Sequence, residues 1–446
     1  MRRNFGRVLL FAALLFTGVI AAVAQQAQSP LRLSLRDAID RGLRANLGVL
    51  LSRADMLDAD GERIRSRAAL LPKVDGGISP AVQSRNLHSF GLSFPGVPEV
   101  VGPYSTYDFR TYFSQPVINI ESYRKWKSSE KREQAARLDY QDVRDSVVRQ
   151  VAAIYLNAEA AAAQTKAAES RVRTAQALYD LAQKQHDAGV ATGVDVLRAR
   201  VTLANEEQVL LEDRNAARQA LLSLARSIGL DPSTQIELSE VLSYRPLAPP
   251  AIGPAVSGAL LARADYLALA KQRQALVDEQ QANRARYLPS LSIDGDYGGI
   301  GRTLGQVRQT MLVAGTLHIT LFNQDREGER EQVDSRIDSI DARIADLRRG
   351  IEEQIRSALL NLETAAETVD VARQGEDLAQ RELKLARDRF RSGVTDNIEV
   401  ITAQDALARA QENYISALTQ HEDAKISLAR ALGGTEKTYE RYLGIP

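Results

Sequence analysis

Two stretches of this chain, Asn119 to Ala188 and Asn323 to Ser392, each read as one uninterrupted helix of 70 residues. At 1.5 Å per residue such a helix is roughly 100 Å long, several times the ordinary length. A helix of that length cannot lie inside a compact domain. It belongs to a rod, a coiled coil or a tube. Each stretch ends on the same signal, Gly189-Val190 in one and Gly393-Val394 in the other.

The two stretches are copies. From Asn119 to Gly229 the chain aligns with Asn323 to Gly433 at a constant offset of 204, without a gap. Leu156-Asn157-x-Glu159-x-Ala161-Ala162 recurs as Leu360-Asn361-x-Glu363-x-Ala365-Ala366, and Ser223-Leu224-Ala225-Arg226 as Ser427-Leu428-Ala429-Arg430. An unbroken register with two identical clusters marks duplication. The apolar positions Val151, Ile154, Ala158, Ala161, Thr165 and Ala168 step by three and four, as do Val333, Ile337, Ile340, Ile344 and Leu347. That is a heptad-like seam. It is interrupted in both copies by a four-and-four stutter, Val143-Val147-Val151 and Leu347-Ile351-Ile355, which locally unwinds a supercoil.

Met1 to Ala24 reads as a secretory signal: Arg2, Arg3 and Arg7, an apolar run from Val8 to Val23, and the small-x-small site Ala22-Val23-Ala24. Cleavage after Ala24 is expected. The chain has no cysteine, which removes disulfides, thiolate metal sites and an N-terminal lipid-modified Cys. Lys+Arg and Asp+Glu are equal at 57 each, so charge gives no support for nucleic-acid binding.

The first repeat occupies 25–229. Ser34 to Leu70 is predicted as a helix of about 35 residues stopped by Pro72. Strands at 73–85 and 104–118 follow, alternating with period two. The long helix, 119–188, leads through the Gly189–Gly193 turn into a half-length helix at 194–228. Residues 230–254, with Pro232, Pro246, Pro249, Pro250 and Pro254, read as a linker or equatorial region. The second repeat, 255–433, restarts with a helix from Ala255 to Arg286, strands at 289–300 and 309–322, the long helix 323–392 and a half helix at 395–432. Residues 434–446 read as a tail. Two half-length helices match one long one end to end.

Catalytic motifs are missing from the sequence. Gly299-x-Gly301-x-x-x-Gly305 is not a dinucleotide fingerprint, and His88, His186, His318 and His421 have no ligand spacing. No enzyme activity, metal or cofactor is expected.

The hairpin tips Gly189-Val190-Ala191-Thr192-Gly193-Val194-Asp195-Val196-Leu197-x-Ala199 and Gly393-Val394-Thr395-Asp396-Asn397-Ile398-Glu399-Val400 resemble those of the TolC family of outer-membrane efflux proteins. Leu71-Pro72, Leu288-Pro289 and Leu260-x-x-Arg263-x-Asp265 add to the resemblance, which covers the mature chain; Ala264 departs from it where relatives often carry Pro. The resemblance implies a mainly α fold with a β-barrel part: duplicated helical hairpins forming a trimeric α-helical tube, topped by a 12-stranded membrane barrel with four strands per subunit. Independently, four strands are too few to close a membrane barrel and an open edge cannot sit in lipid, so the strands must pair between subunits.

The resemblance further implies an exit channel, in the outer membrane and extending into the periplasm, for an efflux or type I secretion system. Its partners would be two further copies, a periplasmic adaptor, an inner-membrane pump and outer-membrane lipid, with no nucleic acid. Drugs, metal ions and secreted protein all remain open as cargo, with efflux the commoner use. A periplasmic coiled-coil adaptor or structural protein is the rival reading, and a secreted pore-forming toxin a second. In the barrel, Tyr107, Phe109, Phe113, Leu291, Ile293, Val313, Leu317 and Ile319 are expected to face lipid, and Asp108, Arg110, Asp294, Asp296, Thr316 and His318 the lumen. At the entrance, Gly189, Val190, Gly193, Gly393 and Val394 are the expected adaptor-docking tips. Asp195, Arg198, Phe390, Asp396, Glu399 and Thr402 are the gate candidates, with the bulky Phe390 narrowing the mouth. Asp195 and Glu399 have a second reading as acids that favour a helix start.

Overall fold

A computed structural model of the chain describes residues 30–392, 394–395 and 397–444. The signal segment 1–24, Gly393 and Asp396 lie outside the described residues. In chain order the elements are β1 (Leu31–Leu33), α1 (Leu35–Ala45), α2 (Leu47–Ala68), β2 (Lys73–Asn86), β3 (Val100–Ile118), α3 (Ile120–Asp187), α4 (Gly193–Ser227) and β4 (Ile236–Leu238). Then come α5 (Ile252–Ala262), α6 (Ala264–Ala285), β5 (Ser290–Gly301), β6 (Arg308–His318), α7 (Asp325–Arg391), α8 (Asn397–Leu432) and α9 (Thr435–Leu443). The long helices α3 and α7 have 68 and 67 residues.

Two compact units share this chain. One holds the described residues to 42 with 151–244 and 368–420; the other holds 43–150, 245–367 and the described residues from 421. In the first, Val369, Ala417 and Leu418 form a small core under Leu242 and Tyr244. There β1 pairs in parallel with β4, Leu31 opposite Ile236. Tyr155, wholly buried on α3, donates its hydroxyl proton to the Glu240 carboxylate, which also accepts from the Leu35 backbone N–H at 3.1 Å. Burial first, then that carboxylate, raises the Tyr155 pKa above its ordinary value. The start of α1 is thereby fastened to the segment after β4.

In the second unit the core is the α7 seam, Ile351, Ile355, Ala358 and Leu362, packed against Leu428 of α8 and Ala255 and Ala259 of α5. The three-four steps of the sequence put these side chains on one stripe.

Five expectations are corrected. The stretches 34–70 and 255–286 are each two helices. Asn46 breaks the first: extended, it caps α2 by accepting from Gly48 N at 2.9 Å, the role Asn favours over a helix interior. Arg263 breaks the second, extended at φ −70°, ψ 119°. Its buried guanidinium forms a fork on Asp265 (2.6 and 3.1 Å) and donates to Gln354 at 2.6 Å. A charge-assisted network replaces the helical bond lost at the break. Gly433, at φ +87°, lies against this bend; a Cβ there would sit 2.9 Å from Arg263 Cγ and 3.0 Å from its N.

The linker contains β4, and the tail contains α9. Arg144 grips Glu436 of α9 with two nitrogens, at 2.8 and 2.5 Å, and Asp145 accepts from the Glu436 N–H at 2.7 Å. Thr435, Tyr439 and Leu443 are buried. Finally, β6 stops at His318, so residues 319–322 are not strand.

Candidate functional site

The four longer strands form one antiparallel sheet in the order β2-β3-β5-β6, so the strand pairs of the two repeats join through β3 and β5. Residues opposite one another in neighbouring strands point to the same face. Val74 lies opposite Phe113, Phe113 opposite Gly295, and Gly295 opposite Val313. By the same register Ile78 joins Phe109, and Leu291 joins Leu317. One face therefore carries Val74, Ile78, Tyr107, Phe109, Phe113, Leu291, Ile293, Val313 and Leu317. On the other, Ser114 is opposite Asp294, Ser292 opposite Thr316, and Ser290 opposite His318. Asp108, Arg110 and Asp296 share that face. Ile319, expected beside Leu317, lies beyond the end of β6.

The two faces differ in chemistry, and both carry exposed side chains: Tyr112 (46%) and Leu312 (59%) stand open on the polar face. The apolar one is open: Ile78 is 72% exposed, Val313 70% and Leu317 61%. On the polar one the charges shield each other. Arg110 reaches Asp108 at 2.8 Å and Asp296 at 3.4 Å, and the Asp296 side chain is only 10% exposed. Asp294 accepts from Ser114 at 2.7 Å and Ser292 at 2.8 Å. Gly298, opposite Arg110, lets the strands close: a Cβ there would come 1.9 Å from the Phe109 carbonyl. A one-sided antiparallel sheet in water turns its apolar face to a core. This sheet leaves its apolar face open. Among the described residues β2 and β6 have one strand neighbour each, which leaves a row of backbone groups open on both edges.

The hairpin ends form the second feature. Gly189, at φ +75°, turns the chain out of α3, a conformation that favours glycine. Thr192 then caps α4 in a reciprocal box with Asp195. The Thr192 hydroxyl donates to Asp195 at 2.7 Å, and Arg198 lies 3.8 Å from its carboxylate. The Thr192 bond, with the nearby Arg198, holds Asp195 below its usual value of 3.8. Glu399 is taken up by Arg389 at 2.7 Å and Thr395 at 2.6 Å. The Thr402 hydroxyl donates back to the Ile398 carbonyl at 2.9 Å.

Phe390 does not stand in an opening. It is 5% exposed, packed with Leu383, Ala386, Val400 and Ala403 and against Leu178 and Leu181. A hydrogen-bonded link between the two hairpin ends comes from Asn397, whose amide donates to the Asp195 carbonyl at 2.8 Å. Gln185 adds a weaker bond to the Phe390 carbonyl at 3.4 Å. Sequence reasoning passed over Asn397, although a signal was present. Residues 397, 400 and 404 step by three and four, with Asn and Gln on a seam that elsewhere takes apolar residues. At the tips Val190, Val194, Leu197 and Val394 are exposed.

A family described as "Outer membrane efflux protein" matches residues 40–230 and 255–434. The pyoverdine export outer membrane protein OpmQ of Pseudomonas putida is 26% identical over 393 residues, covering 85% of this chain and 82% of that one. Outer membrane protein OprJ of Pseudomonas aeruginosa is 23% identical over 415 residues, covering 90% and 84%. Among solved structures, the Campylobacter jejuni CmeC outer membrane channel superposes with a TM-score of 0.79 at 18% identity, over 92% of this chain and 89% of that one. That likeness is one of fold.

Proposed function

The chain belongs to the outer membrane efflux protein family, and from that premise we propose that it is the outer-membrane exit channel of a tripartite efflux system, assembled as a homotrimer. The observation that carries this is the sheet: an apolar face open to its surroundings, an opposite face whose charges pair with one another, and two unpaired edges. Three copies of the four-stranded sheet, joined β6 to β2, close a 12-stranded barrel in which every backbone group is paired, the condition lipid imposes. Tyr107, Phe109, Phe113, Leu291, Ile293, Val313 and Leu317 then face lipid. Asp108, Arg110, Asp294, Asp296, Thr316 and His318 line a hydrated lumen. A coiled-coil adaptor has no use for an exposed apolar sheet face.

The long helices of three copies form the periplasmic tube. Its entrance is ringed by the hairpin ends, where Gly189, Val190, Gly193 and Val394 meet a periplasmic adaptor, itself coupled to an inner-membrane pump. The resting mouth is held by packing around Phe390 and by the Asn397–Asp195 bond, with the Glu399 and Asp195 charges balanced within their own hairpins. The cargo class is small molecules, as the name of the pyoverdine-exporting relative suggests. The protein is not an enzyme. The test is to purify the chain from washed outer membranes, determine its mass by light scattering, and insert it in a planar bilayer. A trimer with low resting conductance is expected; a monomer that carries no current overturns the reading.

A further inference from the structure

The loop between β2 and β3, residues 87–99, is built rather than loose. Leu87 N–H donates to the Glu99 carbonyl at 2.7 Å, and Leu92 N–H to Leu87 at 3.2 Å. His88 N–H donates to the Asn86 side chain at 3.0 Å, and Gly91 and Gly96 take φ of +70° and +84°. This internally bonded frame nevertheless holds large apolar side chains outward: Phe90 is 63% exposed, Phe94 52% and Leu92 46%. A frame that fixes apolar groups in contact with water leaves them a favourable route to burial.

The neighbouring loop, between β5 and β6, is anchored on one side. Arg302 stacks over Tyr104 of β3 at 5.7 Å, and Leu304 in the same loop is 67% exposed. Strand direction decides what comes next to it. β2 ends, and β6 begins, at the end of the sheet that carries these loops. When β6 of one copy pairs antiparallel with β2 of the next, the start of β6 and the end of that β2 lie at the same end of the sheet. The 87–99 loop of the next copy is then set against the 302–307 loop.

We propose that residues 87–99 are a clasp between copies of this chain: Phe90 and Phe94 of one subunit cover Leu304 of its neighbour and lock the outer rim of the barrel. The clasp rests on the homotrimer reading, and continues its β6–β2 seam above the strands.

The natural absence of cysteine makes the test clean. Phe94→Cys and Leu304→Cys are introduced into one chain, the protein is purified from outer membranes, and its mass is determined before oxidation. A trimer that becomes a covalent ladder of dimers and trimers on a denaturing gel is expected. Phe94→Cys alone is expected to give no covalent dimer. A trimer without the ladder, a link that closes only within one chain, or dimers from Phe94→Cys alone (loops meeting over the barrel mouth) each overturns the clasp while leaving the assembly standing. A monomeric mass removes both readings. As a second arm, Phe90→Ser with Phe94→Ser lowers the temperature at which the trimer dissociates; an unchanged dissociation temperature overturns the clasp.

Discussion

The side-chain amide of Asn397 donates a 2.8 Å hydrogen bond to the main-chain carbonyl of Asp195, tying the start of α8 to the start of α4. Asn397 is 4% exposed and shares a cavity of about 10 Å³ with Gln404, room for about one water. This is the polar point in an otherwise apolar seam. Asn397→Ala removes this inter-hairpin hydrogen bond, which costs about 0.5–1.5 kcal/mol. The expected outcome is a higher resting conductance of the purified protein in planar bilayers, with its assembly state unchanged.

Packing and charge at the hairpin end separate cleanly. Phe390→Ala empties a buried site and is expected to destabilise the α7–α8 end by about 3–5 kcal/mol. Glu399→Ala breaks an exposed pair with Arg389 and is expected to cost less than about 1 kcal/mol. Hydrogen exchange across residues 380–405 measures both; equal protection loss in the two variants contradicts the packing account.

In the sheet, Val313→Arg, at the middle of β6, places a charge on the apolar face and is expected to cost about 2–4 kcal/mol. Thr316→Arg, on the opposite face, is expected to assemble normally. The fraction of trimer recovered from outer membranes compares them, and the facing fails if both are lost alike.

Arg263→Ala leaves the half-buried Asp265 beside an extended bend that no longer has its fork. Removing one partner of a buried pair costs about 3–5 kcal/mol. Asp265 is held below its usual value against the burial that would raise it, chiefly by Arg263. A lower unfolding temperature is expected, and Arg263→Lys, which cannot reproduce the two-pronged contact, is expected to recover only part of it.

Acid should loosen the first hairpin end. The Asp195 pKa is depressed in the fold, so its contribution is full above the unfolded value near 3.8 and is lost as pH falls through the depressed folded value. Thr192→Ala removes the main cause of the depression. Amide exchange at 190–197 is expected to rise below pH 4 in the parent chain, and Thr192→Ala is expected to show a smaller change over that range.

Much of this protein is legible because its signals are local. Steps of three and four put Ile351, Ile355 and Leu362 on one stripe of α7, and alternation of two separates Phe113 from Ser114, whatever the rest of the chain does. The duplication, the long helices and the alternating strands all follow from such patterns. The break at Asn46 was also local, a capping residue hidden in an apolar run. What the sequence alone did not determine depends on residues far apart in it. Arg263 breaks its helix for partners 91 and 168 residues away. Tyr155 buries its hydroxyl against Glu240, 85 residues on. Asn397 meets Asp195 across 202. The gate candidates show the reason. A charge or a ring announces what it can bind, not which neighbour reaches it first. The Thr192–Asp195 box is local, but tertiary packing set Leu178 and Leu181 against Phe390 and brought Asn397 to the Asp195 carbonyl.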